Sequence, residues 1–138
     1  MESLSTLCYI ENDGKYLMLH RNVKENDVNE GKWIGVGGHF EADESPEECL
    51  LREVWEETGL TIESPILCGL YHWYKGAVHN VITLYKAEKF TGTLTSSEEG
   101  KVYWIPVEEL KSKELATGME YVLQIMESEQ IGECYMHL

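Results

Sequence analysis

Gly38-His-Phe-Glu-Ala-Asp-Glu44-Ser-Pro-Glu-Glu-Cys-Leu-Leu-Arg52-Glu53-Val54-Trp-Glu56-Glu57-Thr-Gly59-Leu60 is the stretch on which the rest of the chain depends. Its second half reads as a helix. Ser45 is a good N-cap, Pro46 suits the first helical position, and Glu48 three residues after the cap completes a capping box. Gly59 supplies a left-handed residue where the helix must end. At about 100° per residue, Glu53, Glu56 and Glu57 share roughly a 100° sector, with Leu50, Leu51 and Val54 on the flank expected to face a core. Three carboxylates at this spacing repel one another, each like-charge pair costing a few tenths of a kcal/mol. Helix stability does not call for such an arrangement, whereas a hard divalent cation does.

The same residues resemble the Nudix box, G-x5-E-x7-R-E-U-x-E-E-x-G-U with U a bulky aliphatic residue. Gly38, Glu44, Arg52, Glu53, Val54, Glu56, Glu57, Gly59 and Leu60 fill its nine specified positions. The box spans 23 residues, and a weaker likeness extends over most of the chain. The resemblance implies an α/β/α sandwich, a single domain over residues 1–138, with the box helix against a curved mixed sheet.

Composition narrows the function independently. The chain has 138 residues, 43% of them apolar, enough for one domain of ordinary size with a real core. Its formal net charge of −14 repels nucleic-acid polymers, and repels small phosphorylated substrates too unless bound cations reverse the field locally. No apolar run approaches the ~20 residues of a membrane span, and Met1-Glu-Ser-Leu-Ser-Thr lacks the order of a signal peptide. Cys8, Cys49, Cys68 and Cys134 show no CxxC spacing, so reduced thiols in a cytoplasmic protein are expected.

Residues 4–10 and 15–20 read as a hairpin around the turn at 11–14. Residues 21–31 are polar and loop-like, a candidate border for a substrate pocket, and 32–38 read as a short extended segment broken by glycines. Beyond the box, 66–74 and 77–90 read as strands, 91–100 as a polar connector, 101–105 as a strand ended by Pro106, 108–110 as a helical turn and 120–127 as a C-terminal helix. Strands outnumber helices, which gives an α+β fold with a mixed sheet.

Attack of water on a pyrophosphate linkage needs a cation that neutralises charge and acidifies the water. By the resemblance, Glu53, Glu56 and Glu57 are the catalytic metal ligands for Mg²⁺ or Mn²⁺ and the Gly38 carbonyl adds a ligand; the alternative for one of the three, Glu53 by preference, is to orient or deprotonate water instead, a role the sequence does not assign. Arg52 pairs with Glu44 or a neighbouring carboxylate and holds the loop-helix; Gly59, like Gly38, meets a backbone requirement. Glu99, with Glu98 as competitor, occupies the position of a distant metal-binding glutamate, against the alternative of a solvated loop carboxylate. Arg21, Lys32 and His39 are candidate phosphate contacts, with plain surface exposure the alternative. Trp33, and with it His72, Trp73 and Tyr74, are candidates for the base pocket or for core. His20 and His79 have no visible constellation around them.

The short domain and the Lys32-Trp-Ile-Gly-Val-Gly-Gly38 entry resemble the MutT branch, which implies hydrolysis of a nucleoside triphosphate to monophosphate and pyrophosphate, with an oxidised purine such as 8-oxo-dGTP leading. Ile34 departs from the asparagine that the animal oxidised-purine enzyme places there, and its acidic base-reading pair is not evident in residues 115–120. The proline of many ADP-ribose hydrolases is missing from 71–83. Alternatives are a Nudix hydrolase of ADP-ribose or a dinucleoside polyphosphate, and a silent nucleotide-binding regulatory module. The expected partner is a small-molecule nucleotide, with no nucleic-acid polymer and no membrane, for a monomer or homodimer.

Overall fold

The computed structural model describes residues 2–21, 31–98, 100–130 and 132–137. β1 (Glu2–Asn12) and β2 (Lys15–Arg21) form the expected hairpin, closed by Asp13 and Gly14 at φ 53° and 74°, the backbone that a tight two-residue turn needs. β1 then organises the sheet. It pairs in parallel with β7 (Val78–Ala87) and antiparallel with β4 (Val36–His39), while β2 pairs with β3 (Trp33–Ile34) and β9 (Gly100–Pro106). β6 (Ile66–Lys75) lies on the far side of β7, and β10 (Glu133–His137) forms the edge beside it. Among the described residues this is one mixed sheet of eight strands, with β5 (Leu60–Glu63) and β8 (Lys89–Gly92) forming a separate pair.

The layers follow from the two apolar runs of the hairpin. Residues 6–10 and 16–19 are buried without interruption, the pattern of strands covered on both faces. Leu7, Tyr9, Tyr16 and Met18 pack with Val122 and Ile125 of α2 (Met119–Glu127). Their neighbours Cys8, Ile10, Leu17 and Leu19 pack instead with Leu50 and Val54 of α1 (Pro46–Thr58). One helix therefore covers each face, giving the α/β/α arrangement.

α1 begins and ends as its sequence dictates. Ser45 Oγ accepts from Glu48 N at 3.2 Å, Ser45 N donates to Glu48 Oε1 at 2.9 Å, and Gly59 closes the helix at φ 78°. Fully burying Leu50 and Val54 contributes on the order of 2 kcal/mol each. That outweighs the few tenths of a kcal/mol lost per like-charge pair among Glu53, Glu56 and Glu57.

Several expectations need correction. Leu51 is 42% exposed, and Cys49 is the fully buried neighbour instead, because the core-facing stripe passes through Cys49, Leu50, Val54, Glu57 and Thr58. The strand over 77–90 is two elements, interrupted at Glu88 where the chain leaves β7 for the small sheet. α2 is followed by β10, so the last described element is a strand. The turn at 108–110 is a 3₁₀ helix over Val107–Ser112. No helix among the described residues is long and apolar enough to cross a membrane.

Candidate active site

α1 presents its carboxylates beside β4, and the two are locked together by Arg52. The guanidinium donates to both oxygens of Glu44, Nε to Oε2 at 2.7 Å and Nη2 to Oε1 at 2.9 Å, a bidentate pairing of planar groups. Nη1 donates to Glu53 Oε1 at 2.8 Å and Glu56 Oε2 at 3.2 Å, and Nη2 also reaches the His39 carbonyl at 3.0 Å. Glu41 lies 3.5 Å from Nη1, so one guanidinium serves four carboxylates. Arg52 hydrogen bonds first, and the Glu41 backbone N–H next, hold the Glu44 carboxyl down at about 2. The same pairing raises the Arg52 pKa and keeps it charged.

Gly38 is where the strand meets the helix. A Cβ there would lie 2.5 Å from Glu53 Cδ, so only a glycine lets this carboxylate rest against the β4 backbone. Below it, the Cys49 thiol contacts the Gly38 carbonyl at 3.6 Å and is pushed up to about 12, chiefly by burial. Sequence reasoning passed over Cys49; its helical position one residue before Leu50 was the signal. Gly59 is likewise tightly enclosed, since a Cβ would lie 2.5 Å from the Thr93 carbonyl oxygen.

Two adjoining cavities extend from this point. The first, about 510 Å³, is lined by Arg21, Gly37, Gly38, His39, Glu41, Arg52, Glu53 and Glu57 among others. Glu57 is 5% exposed because it lies on the stripe of α1 that also carries Leu50 and Val54. The second, about 430 Å³, shares Ser5, Ile34, His39 and Ile82 with the first and adds Tyr71, Trp73, Lys75, Asn80, Thr117 and Met119. One compartment is thus acidic with fixed cations, and its neighbour is apolar and aromatic with a few polar groups.

The structure brings together Arg21, Gly38, His39, Arg52, Glu53 and Glu57, and leaves Lys32, Trp33 and Glu56 outside both cavities. Glu99 and most of the polar loop at 21–31 lie outside the described residues. Among those residues no group of three or more His, Cys, Asp or Glu side chains is disposed to hold a metal ion. Glu53 and Glu56 are bonded to Arg52 instead. The donor set still suits a hard cation: carboxylate and carbonyl oxygens, an excess of negative charge around one guanidinium, and a glycine cradle that places Glu53 beside the Gly38 backbone.

Trp33 packs rather than lining a pocket. It stacks on His20 at 4.4 Å, meets Tyr103 edge-on and lies under the Lys113 ammonium at 5.3 Å. Successive strand residues face opposite ways, so Ile34, not Trp33, points into both cavities. The Trp33 backbone bonds Glu114 and Ala116, fixing the segment that carries Thr117 to the second cavity. The same alternation on β6 sends Trp73 to that cavity and His72 and Tyr74 to the other face. Asn80, unnoticed in the sequence, places an amide in the second cavity, where its Nδ2 donates to the Trp73 carbonyl at a long 3.4 Å. His20 and His79 both have partners. His20 Nε2 lies 2.9 Å from the Gly31 carbonyl, and His79 Nε2 lies 2.9 Å from His72 Nδ1.

Known proteins place this arrangement. The NUDIX domain family matches residues 1–125. The Nudix hydrolase YvcI of Bacillus subtilis is 32% identical over 127 residues, covering 88% of this chain and 77% of its own. A MutT-like protein of Streptomyces ambofaciens is 34% identical over 106 residues, covering 75% of this chain and 63% of its own. The crystal structure of a mutator MutT protein from Bacillus halodurans superposes with a TM-score of 0.85 at 27% identity, over 98% of this chain and 89% of that one. The box residues, the helix-sheet-helix layers and these matches agree: the chain belongs to the Nudix family, as a hydrolase of the MutT type.

Proposed function

We propose that the protein hydrolyses a nucleoside triphosphate to the monophosphate and pyrophosphate, with Mg²⁺ or Mn²⁺ as cofactor, purines preferred and an oxidised purine such as 8-oxo-dGTP the leading substrate. The observation that carries this reading is the pair of adjoining cavities, one acidic against α1 and one aromatic against β6 and β7. Their union matches a molecule with a charged phosphate chain at one end and a flat, largely apolar ring at the other.

Glu53, Glu56, Glu57 and the Gly38 carbonyl would hold the cation, with Glu99 as a further ligand. Bound there, a divalent cation supplies charge neutralisation, diphosphate orientation and a more acidic water. Arg52 holds α1 to the 38–44 loop and, through its N–H donors, fixes the orientation of Glu44 and Glu53. Glu53 rests against Gly38 at the floor of the acidic cavity, where it orients or deprotonates the attacking water. Arg21 and His39 line the same cavity and would bind phosphate oxygens. Trp73 and Tyr71 give the ring flat apolar surface, and Asn80 offers it a donor and an acceptor.

A nucleotide panel assayed with Mg²⁺ and with chelator, followed by product identification, tests the reading. Turnover of triphosphates to monophosphate and pyrophosphate, abolished by chelator, is expected. Strong activity on ADP-ribose or a dinucleoside polyphosphate with none on any triphosphate would overturn the substrate assignment.

A further inference from the structure

β10 lies at the outer edge of the eight-stranded sheet, and β6 is the strand it pairs with among the described residues. The Gly132 carbonyl accepts from Leu70 N at 2.8 Å, which fixes the phase of this parallel ladder. Gly132, Cys134 and Met136 therefore direct their backbone groups at β6, and Glu133, Tyr135 and His137 direct theirs outward. The side chains of these last three share one face of the sheet, since Cys134 and Met136 pack against the core on the other.

On that face the rings form a ladder across the strands. Tyr135 stacks on His72 at 4.2 Å, His137 on Tyr74 at 4.5 Å, and Tyr74 on His79 at 4.4 Å, each pair within 10° of parallel. The ladder reaches β10 with Tyr135 57% exposed. An edge strand of this kind is normally guarded by lysine, proline or a bulge. Residues 133–137 read Glu-Cys-Tyr-Met-His, and their register with β6 runs unbroken from Leu70 to Tyr74. The single carboxylate does not guard the edge either. Glu133 Oε2 accepts from the Tyr135 hydroxyl at 2.7 Å and lies 2.9 Å from His72 Nε2, which together hold its pKa below the ordinary range.

We propose that β10 is a self-pairing edge, and that two copies of this chain associate about a two-fold axis through Tyr135 with their β10 strands antiparallel. The strand is self-complementary in that register. Tyr135 faces Tyr135 of the second copy and exchanges both backbone hydrogen bonds with it, Glu133 faces His137, and Cys134 faces Met136. The carboxylate of each copy thus stands opposite an imidazole, a favourable cross-strand pair. Each patch is used by both partners, as an isologous interface requires. The pairing also continues the ring ladder from one sheet into the next. A net charge of −14 opposes contact between copies elsewhere, whereas the carboxylate on β10 is already engaged by Tyr135 and His72 of its own chain.

Sedimentation equilibrium from about 1 to 100 μM in physiological salt tests the proposal. The expected mass is twice the 15.9 kDa of one chain. Tyr135→Lys sets two ammonium groups together at the axis, and His137→Pro removes an outward N–H that β6 does not use. Either should weaken association at least tenfold while circular dichroism shows the parent fold, so failure of one variant to fold leaves the other decisive. Trp55→Lys alters an exposed aromatic on α1 far from β10 and should leave the dimer unchanged. A monomeric parent at 100 μM, a dimer indifferent to a folded edge variant, or a dimer lost in Trp55→Lys would overturn the proposal.

Discussion

Replacing Gly38 by alanine separates catalysis from folding at this site, and Gly37 beside it provides the contrast. The added Cβ at position 38 would lie 2.5, 2.6 and 2.8 Å from Cδ, Oε2 and Oε1 of Glu53. Ordinary contact begins at 3.4 Å, so the carboxylate must move by about 1 Å. Glu53 is the end of a flexible side chain and can swing away, losing its 2.8 Å bond to Arg52. That partly buried ionic bond is worth about 1 kcal/mol, or a fall in Tm of about 4 °C for a domain of this size. Misplacing a catalytic group by 1 Å costs on the order of 100-fold in rate, about 2.7 kcal/mol. At Gly37 the added Cβ would strike the Thr6 carbonyl, backbone in the middle of β1 with no room to retreat. Gly37→Ala should therefore cost several kcal/mol of stability, about 10 °C or more in Tm. Pyrophosphate release with Mg²⁺ and thermal unfolding followed by circular dichroism read the two effects. A Gly38→Ala variant with the parent's turnover, or a Gly37→Ala variant as stable as the parent, would refute this account.

Glu57→Gln keeps its size but loses an anionic ligand, so turnover should fall at least about 100-fold and Mg²⁺ affinity with it, the fold remaining intact; metal titration and initial rates check this. Glu44 titrates at about 2 in the fold and nearer 4.3 unfolded, so its contribution is complete above the unfolded value and is lost as pH falls towards 2. Thermal melts between pH 2 and 6 should thus show a shallower acid loss for Glu44→Gln than for the parent; equal slopes would contradict the Arg52 pairing. Asn80→Leu removes the amide from the aromatic cavity, and discrimination between bases should drop to about 10-fold or less while the chelator-sensitive rate on the poorest base is little changed. Comparing kcat/KM across the nucleotide panel measures it.

The box helix was legible because each of its determinants is local. Ser45, Pro46 and Glu48 cap it through bonds to neighbours three residues away, and Gly59 ends it because of its own φ. The hairpin of β1 and β2 was legible for the same reason, through two apolar runs and an Asp-Gly turn. Family membership followed from the spacing of nine residues along one stretch. Where each strand goes was not written locally. The residues of β1 do not say that β7 lies parallel beside them 77 positions later, nor that β10 returns to β6 after α2. The aromatic cavity shows this most clearly. It gathers Ser5, Ile34, Trp73, Asn80 and Thr117 from five separate segments, and strand alternation excludes Trp33, His72 and Tyr74 while admitting their neighbours. Helix caps and turns depend on a few adjacent residues, so the sequence alone determined them; cavities depend on register and facing between distant strands, which only the packed sheet decides.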